Sequence, residues 1–249
     1  MGADNVLIIG SGGREHAICW KLSQSPDIAN IYIAPGNIGI EAVDKVEIVK
    51  LNIKNHSEVA TWCLDKNVKL VVVGPEDPLA DGIADCLTAE GKREPSTVFN
   101  KDLFSAASNF FLFLGILCFG PSKQAAQIES DKEWAKKFMK RHDIPTARFG
   151  SFQSAQEAKK FILSATYPAL VVKASGLAAG KGVVVASDRE EASKAVDDIL
   201  TQKKFGEAGD TVVIEELLEG EEVSVSFFKI IKTSDKFKNL KKKKLFFSC

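Results

Sequence analysis

The chain is poor in the residues that build disulfide frameworks and transition-metal sites. Its 249 residues include five cysteines and three histidines. The cysteines are odd in number and widely spaced, no pair of them has metal-ligand spacing, and the histidines do not cluster. This pattern excludes a disulfide-rich scaffold and gives no metal site. It favours a reducing compartment, and we expect the cytoplasm.

Long hydrophobic runs and an excess of charge are also missing. Residues 1–9 have neither the basic start nor the apolar core of a signal peptide, so we expect no secretion signal. The apolar run at 110–117 is too short to cross a bilayer, which needs about 20 residues. The formal net charge is zero, although residues 229–249 are rich in lysine. We expect a globular protein without a membrane or a specific nucleic-acid partner.

The first clear pattern is a strand, a glycine-rich turn and a helix. Residues 6–9 are apolar, and a turn containing Gly12 and Gly13 leads from them into a helical pattern. Such a turn binds phosphate at the start of the helix, and Arg14 can add a bidentate contact. A dinucleotide fingerprint needs glycine where Glu15 stands, so another anionic ligand is favoured over NAD. An NAD-binding oxidoreductase remains the less favoured alternative.

Strands and helices then alternate, which indicates a doubly wound α/β domain with a mostly parallel sheet. The predicted strands are 31–34, 46–49, 69–73 and 118–119, and the predicted helices are 56–65 and 79–89. Three loops follow strands of this sheet: 10–16, 35–37 and 74–77. Because the carboxyl ends of parallel strands meet at one edge, these loops are candidates for a common ligand site.

The second half of the chain mixes helices with short strands. One helix is predicted from Ser122, its cap, to about Arg141, and the later helices are predicted to begin at Ser154 and to span 188–200. The predicted strands are 149–152, 169–172, 183–185, 211–214 and 223–228. The strands at 169–172 and 183–185 read as a hairpin.

The loop of this hairpin is rich in glycine and lysine. Gly176, Gly180 and Gly182 let the backbone bend and approach a ligand, and Lys173 and Lys181 suit a polyphosphate. It is not a Walker A loop, because Gly182 and a strand follow Lys181 where that motif has Ser or Thr and a helix. A flexible hairpin with solvated lysines is the alternative.

Seven sequence strings, taken together, resemble one family. They are GSGGREHA at 10–17, APGN at 34–37, VGPEDPL at 73–79, FGPS at 119–122, IPTA at 144–147, VKASGLAAGKG at 172–182 and IEELLEGEEVS at 214–224. In this order they resemble the glycinamide ribonucleotide synthetases, or phosphoribosylamine–glycine ligases, of the ATP-grasp superfamily. The variant resembles the amino-terminal part of the multifunctional purine-biosynthesis enzymes of animals.

The resemblance implies a reaction and its cofactors. The family ligates glycine to 5-phosphoribosylamine with ATP in de novo purine biosynthesis, through a glycyl phosphate. The implied cofactors are ATP and Mg²⁺ (or Mn²⁺), and the implied fold is an α/β amino-terminal domain followed by an α+β ATP-grasp domain. Phosphoryl transfer depends mainly on positioning and charge neutralisation, which fits a lysine-rich glycine loop.

The resemblance also assigns roles to residues. Lys173 is the implied catalytic residue. The implied ATP-binding residues are Lys132, Lys173, Gly180, Lys181, Gly182, Glu215, Glu216, Leu218 and Glu222. The implied residues for phosphoribosylamine are Gly12, Gly13, Arg14, Glu15, Gly36, Asn37, Gly74, Pro75, Glu76 and Asp77. A surface helix lysine is the alternative for Lys132, and no residue is assigned to the metal.

The chain departs from the family in two segments. We expect domains at 1–121 and 122–228, the second being a partial ATP-grasp domain, with an atypical insertion at 92–117 and an unrelated tail at 229–249. Our hypothesis for the insertion is retained non-coding sequence or a misassembled exon, which sequencing of the transcript tests. The family draws its Mg²⁺ ligands from beyond residue 228, so we expect little or no ligase activity. A non-catalytic nucleotide-binding fragment is the corresponding alternative.

Overall fold

A computed structural model of the protein describes residues 3–90, 116–178 and 180–221. The chain divides into two compact units, residues 1–127 and 128–249. Three predicted features lie outside the described residues: the expected insertion apart from residues 116–117, the strand at 223–228 and the lysine-rich tail. In the described part of the chain, no helix is both long enough and apolar enough to cross a membrane.

The first unit is built on a parallel sheet of five strands, as predicted. The strands are β1 (Asp4–Gly10), β2 (Ile28–Pro35), β3 (Val46–Ile48), β4 (Val68–Val73) and β5 (Leu117–Phe119). Their order in the sheet is β3-β2-β1-β4-β5, and every pair of neighbours is parallel. This is the strand order of a doubly wound fold.

The helices of this unit cover both faces of the sheet. They are α1 (Gly13–Ser23), α2 (His56–Asp65), α3 (Glu76–Asp81) and α4 (Ile83–Glu90), followed by α5 (Lys123–Ser130) at the boundary between the units. Successive residues of β1 contribute to opposite cores: Leu7 and Ile9 pack in one, and Val6 and Ile8 in the other. The strand is therefore apolar throughout, as in a sheet that is buried on both faces.

The prediction of a single helix at 79–89 is wrong. The helical segment already begins at Glu76, and it is broken between α3 and α4 at Gly82. Gly82 has a φ of +101° and its N–H donates to the carbonyls of Pro78 and Leu79, which ends α3. Apolar spacing continues through this break, so periodicity alone did not reveal it.

The second unit combines helices with an antiparallel sheet. Its elements are α6 (Lys132–Arg141), β6 (Phe149–Phe152), α7 (Ala155–Ser164), β7 (Val171–Ala174), β8 (Val183–Val185), α8 (Arg189–Val196) and β9 (Val212–Glu215). The strand order is β6-β9-β7-β8, and all pairs are antiparallel. The predicted hairpin is confirmed as β7 and β8.

Two predicted helices of the second half differ in detail. The helix predicted from Ser122 to Arg141 is two helices, because Asp131 leaves the helical conformation and caps α6 by accepting from Trp134 N–H. The predicted cap Ser122 does accept from Ala125 N–H, at the start of α5. The helix predicted at 188–200 exists as α8, but its last turn widens into a π-helix at Asp197–Thr201.

The two faces of the second sheet have different characters. Val172, Ile214 and their neighbours on one face pack against α7 and α8 in a continuous apolar core. Because side chains alternate along a strand, Lys173 and Glu215 belong to the opposite face. Helix α6 contacts that face. The sheet thus separates a hydrophobic core from a buried polar layer.

Candidate functional sites

The predicted convergence of three loops in the first unit is confirmed. Gly36 N–H donates to the carbonyl of Gly10 (3.0 Å), and Gly74 N–H donates to that of Ile9 (3.0 Å). Asn37 then bridges two of the loops, since its Nδ2 donates to the carbonyl of Ser11 (2.6 Å). The carboxyl ends of β1, β2 and β4 therefore form one continuous edge.

Glu15 lies at the centre of this edge and is only 3% exposed. Its Oε2 accepts from Gly12 N–H (2.7 Å) and its Oε1 from Arg14 Nε (2.9 Å). Burial raises the pKa of this carboxyl, but the Arg14 and Gly12 hydrogen bonds and the Arg14 charge outweigh it, so the net pKa is lowered. The carboxylate is thus engaged within the protein rather than directed towards a ligand.

The glycines around Glu15 make room for its side chain. A Cβ on Gly74 would lie 1.9 Å from Glu15 Oε1, and a Cβ on Gly10 would lie 2.6 Å from the Glu15 side chain. A Cβ on Gly12 would lie 3.0 Å from Oε2. Gly74 and Gly10 therefore make room for a buried glutamate, and Gly12 lies in tight contact with it, which is a physical reason for these glycines without any ligand.

Other predicted residues at this edge face solvent. The Arg14 side chain is 60% exposed although its Nε is bonded to Glu15. Gly13 begins α1, and no described atom lies within 4 Å of the position that a Cβ on it would take. Asn37 is half-buried, and its Oδ1 accepts from Gly39 N–H, so the side chain also shapes its own turn. Gly13 and Arg14 are the members of this set with open space beside them.

The predicted loop 74–77 is only partly a loop. Pro75 is the N-cap of α3, and Glu76 and Asp77 are exposed residues of the first helical turn. Acidic side chains at this position stabilise a helix through its dipole, which is a structural reason for both. Their role in substrate binding stays a prediction.

The second unit holds a buried cluster of charges. Glu215 Oε1 lies 3.0 Å from Lys173 Nζ, and Glu215 Oε2 lies 3.2 Å from Lys136 Nζ. The three residues are between 1% and 5% exposed. Lys136 also donates to Thr146 Oγ1 (2.7 Å) and to the carbonyl of Ala147 (3.0 Å). One carboxylate therefore stands between two ammonium groups.

Ser175 attaches the start of α6 to the loop after β7. Its Oγ donates to Asp131 Oδ1 (2.8 Å) and accepts from Glu133 N–H (2.9 Å), while its carbonyl accepts from Lys132 N–H (2.9 Å). Lys132 Nζ in turn donates to the carbonyl of Gly176 (3.2 Å). The predicted lysines Lys132 and Lys173 are thus brought to the same loop, although they come from different elements.

The three loop glycines have two different roles. A Cβ on Gly176 would lie 2.7 Å from the Cα of Ala208, and a Cβ on Gly182 would lie 2.7 Å from the Cβ of Ala178, so both permit close packing. Gly180 has a φ of +75°, and no described atom lies within 4 Å of its missing Cβ. Of the three, Gly180 has the open backbone that was predicted for ligand approach. Lys181 beside it is exposed.

The segment after β9 is fixed by hydrogen bonds. Glu216 N–H donates to the carbonyl of Arg148 (2.8 Å), and the Glu216 carboxylate forms a bidentate pair with the Arg148 guanidinium. The Arg148 hydrogen bond is the main cause of the lowered pKa of Glu216. Leu217 N–H donates to the carbonyl of Pro168 (2.8 Å), whereas the Leu218 side chain is 53% exposed. Glu222 lies outside the described residues.

The carboxylates of Glu215 and Glu216 are both engaged within the protein: that of Glu215 is buried against lysines and that of Glu216 is paired with Arg148. The role of these two residues in ATP binding stays a prediction. Sequence reasoning also missed Lys136 and Ser175. Lys136 follows Lys132 by one helical turn, so the i, i+4 spacing was a usable signal that both face the same way.

The described cysteines and acidic residues offer no further chemistry. Among the described residues there is no group of three or more His, Cys, Asp or Glu side chains that could hold a metal ion. Burial raises the pKa of Cys63 to about 12 and those of Cys19 and Cys118 to about 11. These thiols are therefore protonated at neutral pH and poor nucleophiles.

The doubly wound first unit and the antiparallel second unit, with its lysine-bearing glycine loop, have the organisation of an ATP-grasp protein. Residues 4–100 match the model of the phosphoribosylglycinamide synthetase N domain. Residues 130–246 match that of the phosphoribosylglycinamide synthetase ATP-grasp (A) domain. The chain belongs to the phosphoribosylglycinamide synthetase family.

Individual relatives agree with this assignment. The chain is 55% identical over 226 residues to the trifunctional purine biosynthetic protein adenosine-3 of Drosophila melanogaster, covering 90% of this chain and 15% of that protein. It is 45% identical over 224 residues to the phosphoribosylamine–glycine ligase of Halalkalibacterium halodurans, covering 90% of this chain and 46% of that one.

A solved structure gives the same result for the fold. The crystal structure of phosphoribosylamine–glycine ligase from Thermotoga maritima superposes with a TM-score of 0.59 at 26% identity, covering 87% of this chain and 44% of that one. The chain therefore spans less than half the length of each of these three relatives.

Proposed function

We propose that the chain provides the phosphoribosylamine-binding domain and part of the ATP-binding domain of a ligase that joins glycine to 5-phosphoribosylamine. The observation that carries this proposal is the buried cluster in which Lys136 and Lys173 share Glu215. Lys173 lies near the end of β7, which leads into the glycine-rich loop where the backbone of Gly180 is open. An ammonium group beside open loop backbone suits the oxygens of a polyphosphate.

The proposed reaction has two steps. A carboxylate oxygen of glycine attacks the γ-phosphorus of ATP, the bond to the β-phosphate oxygen breaks, and glycyl phosphate and ADP form. The amine of phosphoribosylamine then attacks the carbonyl carbon, inorganic phosphate leaves, and the nitrogen loses a proton. In this scheme Lys173, with Lys132, neutralises the phosphate oxygens during transfer.

The loop and the segment after β9 are assigned to the nucleotide in this proposal. Gly180, Lys181 and Gly182 would cover the phosphates, with the open backbone at Gly180 as the point of approach. The adenine would lie against Leu218, since the N–H groups of Glu216 and Leu217 already have acceptors and hold this segment rigid. Glu222 is assigned to the ribose by the family resemblance alone.

The edge of the first unit is assigned to phosphoribosylamine. The exposed guanidinium of Arg14 and the N–H groups at the start of α1 suit its phosphate. Asn37 and the exposed Glu76 and Asp77 suit hydroxyl and amine groups. Glu15 has an indirect role here, because its carboxylate fixes Gly12 and Arg14.

The metal and the compartment complete the proposal. Mg²⁺ accompanies ATP in the proposed reaction, but the described residues offer no acidic cluster for it, so no residue of this chain is assigned to the metal. The cytoplasm is part of the proposal. The thiols of Cys19, Cys63, Cys86 and Cys118 are free, as expected in a reducing compartment.

Calorimetric titration of the chain with Mg·ATP tests the proposed site. We expect saturable binding that Lys173→Met weakens at least about tenfold, because a charge-assisted contact to phosphate is lost. Lys160→Met is the matched control, since this exposed lysine lies on α7, which packs on the other face of the sheet. Absence of binding by the unsubstituted chain contradicts the proposal.

A phosphate-release assay tests the assigned reaction. Any release of inorganic phosphate from ATP must depend on both glycine and 5-phosphoribosylamine, because the acyl phosphate needs the first and its breakdown needs the second. Release that is unchanged when either substrate is omitted contradicts this assignment and leaves nucleotide binding to be explained separately.

A further inference from the structure

Arg148 is a largely exposed residue whose side chain is nevertheless held by several contacts. The side chain is 56% exposed. Its Nε donates to Glu216 Oε2 (2.8 Å) and its Nη2 donates to Glu216 Oε1. The guanidinium carbon lies 4.0 Å from the centre of the Tyr167 ring. Neither the family strings nor the proposed reaction assigns a role to Arg148 or Tyr167.

These contacts fall at the point where the chain leaves the second sheet. Glu215 is the last residue of β9. One residue later, Glu216 N–H donates to the carbonyl of Arg148 (2.8 Å), so Arg148 holds Glu216 through its main chain and its side chain at once. Leu217 N–H then donates to the carbonyl of Pro168 (2.8 Å). The chain is therefore held at both of the residues that follow the strand.

The geometry of the Arg148–Glu216 pair is more restrictive than that of an ordinary surface ion pair. A single contact between two exposed charges contributes little, because water screens it and both side chains lose freedom. Here the planar guanidinium meets both carboxylate oxygens and its face lies against an aromatic ring. The Glu216 side chain is itself only 17% exposed. The pair is therefore suited to fixing the direction of the segment after β9.

This direction matters for the base of a nucleotide. In the proposed function the adenine lies against Leu218, which comes two residues after Glu216 and has a side chain that is 53% exposed. A segment that becomes ordered only when it binds a ligand loses conformational entropy, whereas a segment that is already held does not. Holding Glu216 in the free protein therefore lowers the cost of binding the base. The phosphates, at the glycine loop, do not depend on it.

We propose that Arg148, supported by the Tyr167 ring, is a positioning residue for the nucleotide base: by holding Glu216, it keeps the segment up to Leu218 in the conformation that receives the base. This inference rests on the proposed function. It differs from a purely structural role, in which Arg148 only fastens the end of β9 to the start of β6.

The two roles predict different results for a ligand that has phosphates but no base. Calorimetric titration compares Mg·ADP with the magnesium complex of inorganic tripolyphosphate. Arg148→Met removes the guanidinium and should raise the dissociation constant for ADP about fivefold, because the segment is no longer held in advance. The dissociation constant for tripolyphosphate should change less than about twofold, since the glycine loop is untouched. A purely structural role predicts equal changes for both ligands.

A double variant tests whether Arg148 acts through Glu216. Glu216→Met removes both acceptor oxygens at a similar side-chain length, and it should also raise the dissociation constant for ADP about fivefold. If the two residues act as one unit, the double variant should bind ADP within about twofold of the weaker single variant. Two independent effects would multiply, to about 25-fold.

Two further variants guard the comparison, and circular dichroism checks the fold of each. Arg141→Met is the matched control, because it removes an exposed arginine from the end of α6, and it should change the affinity for either ligand less than about twofold. Arg148→Lys replaces Arg148→Met if the latter does not fold. Lysine keeps a charge near Tyr167 but lacks the planar fork, so a rise of about threefold is expected for ADP alone.

Each outcome has a defined meaning. Weaker binding of ADP with unchanged binding of tripolyphosphate, together with a double variant no weaker than its singles, supports the inference. Unchanged binding of ADP, equal losses for the two ligands or multiplied losses in the double variant overturn it, while the proposed function stands. Failure of the unsubstituted chain to bind either ligand overturns the proposed function and the inference together.

Discussion

Among the described residues, each unit contains one buried glutamate at or just after the carboxyl end of a strand, and the two are stabilised in different ways. Glu15 follows β1 and is held by Gly12 N–H and Arg14, with glycines packed around it. Glu215 ends β9 and is held by two buried lysines. The Glu15 carboxylate therefore holds the backbone and side chain next to it, whereas the Glu215 carboxylate contacts the ammonium groups of Lys136 and Lys173.

Because of this difference, we expect substitutions around the two glutamates to affect different properties of the protein. The surroundings of Glu15 are satisfied within the protein, so substitutions there should act mainly on stability. Glu215 lies between Lys136 and Lys173, and Lys173 is proposed to contact phosphate, so substitutions there should act mainly on anion binding. We expect substitutions at or beside Glu15 to have the largest effects on stability, and substitutions in the glycine loop of the second unit to have smaller ones.

Gly74→Ala should have the largest effect on folding. A Cβ at this position would lie 1.9 Å from Glu15 Oε1, so the carboxylate must leave its hydrogen bonds or the loop must shift. We expect the free energy of unfolding to fall by about 3 kcal/mol, from overpacking together with lost hydrogen bonds. Urea unfolding followed by circular dichroism measures this change.

Gly13→Ala is the matched control for this prediction. It lies in the same segment, but no described atom is near its missing Cβ and its backbone is helical. Replacing glycine by alanine in a helix should leave the free energy of unfolding unchanged or raise it by about 0.5 kcal/mol. Equal losses for the two substitutions would show that the space around Glu15 is not what requires Gly74.

Glu15→Gln should have a smaller effect that depends on pH. Glutamine keeps the size but not the charge, so Arg14 and Gly12 lose a charged acceptor, at a cost of about 2 kcal/mol at neutral pH. The folded pKa of Glu15 lies below its ordinary value of 4.5, so its ionised form contributes stability above that value. That contribution is lost as the pH falls through the folded pKa.

Unfolding measured along a pH series checks this prediction. The difference in unfolding free energy between the unsubstituted chain and Glu15→Gln should be largest near about pH 6 and should shrink towards about pH 3. A difference that stays constant over this range would mean that the charge of Glu15 does not stabilise the first unit.

Most of the described strands were predictable because their signal is local. Short apolar runs such as 6–9 and 149–152 lie inside observed strands, and alternation with helices gave the parallel sheet. The helix breaks at Gly82 and Asp131 were missed, because apolar spacing continues through both. Asp131 ends one helix and caps the next, and its carboxylate also accepts a hydrogen bond from Ser175 Oγ. Ser175 is distant in sequence, and local patterns carry no such information.

The site was predictable in its residue types more than in its contacts. The glycine loop and its lysines were identified from composition and order. The burial of Lys136, the contacts of Glu215 with lysines and the ion pair of Glu216 with Arg148 depend on which strands are neighbours in the sheet. The one-dimensional sequence pattern does not specify this order. The partners of the two glutamates, lysine for Glu215 and arginine for Glu216, could not be derived from the motif that contains them, and their role in nucleotide binding stays a prediction.

Ser175→Ala tests the connection between α6 and the glycine loop. The substitution removes the acceptor of Glu133 N–H and one partner of Asp131, both partly buried, and should lower the free energy of unfolding by about 1.5 kcal/mol. Ser187→Ala is the control, because its hydroxyl bonds to Glu191 on the exposed surface, and a loss below about 0.5 kcal/mol is expected. Urea unfolding of both variants measures these losses of unfolding free energy. Equal losses for the two substitutions would contradict a connecting role for Ser175.

Gly180→Ala should have the smallest effect, since the strain arises only from the backbone. Gly180 has a φ of +75° and no described atom lies near its missing Cβ, so the substitution should lower the free energy of unfolding by about 1 kcal/mol. Asparagine tolerates this conformation better than alanine, so Gly180→Asn should cost less. Urea unfolding of both variants checks this prediction. If the left-handed backbone is what requires glycine, Gly180→Ala should lose more unfolding free energy than Gly180→Asn. The reverse order would mean that side-chain size at the open loop matters more than its conformation, and the assignment of Gly180 as the point of ligand approach would lose its structural basis.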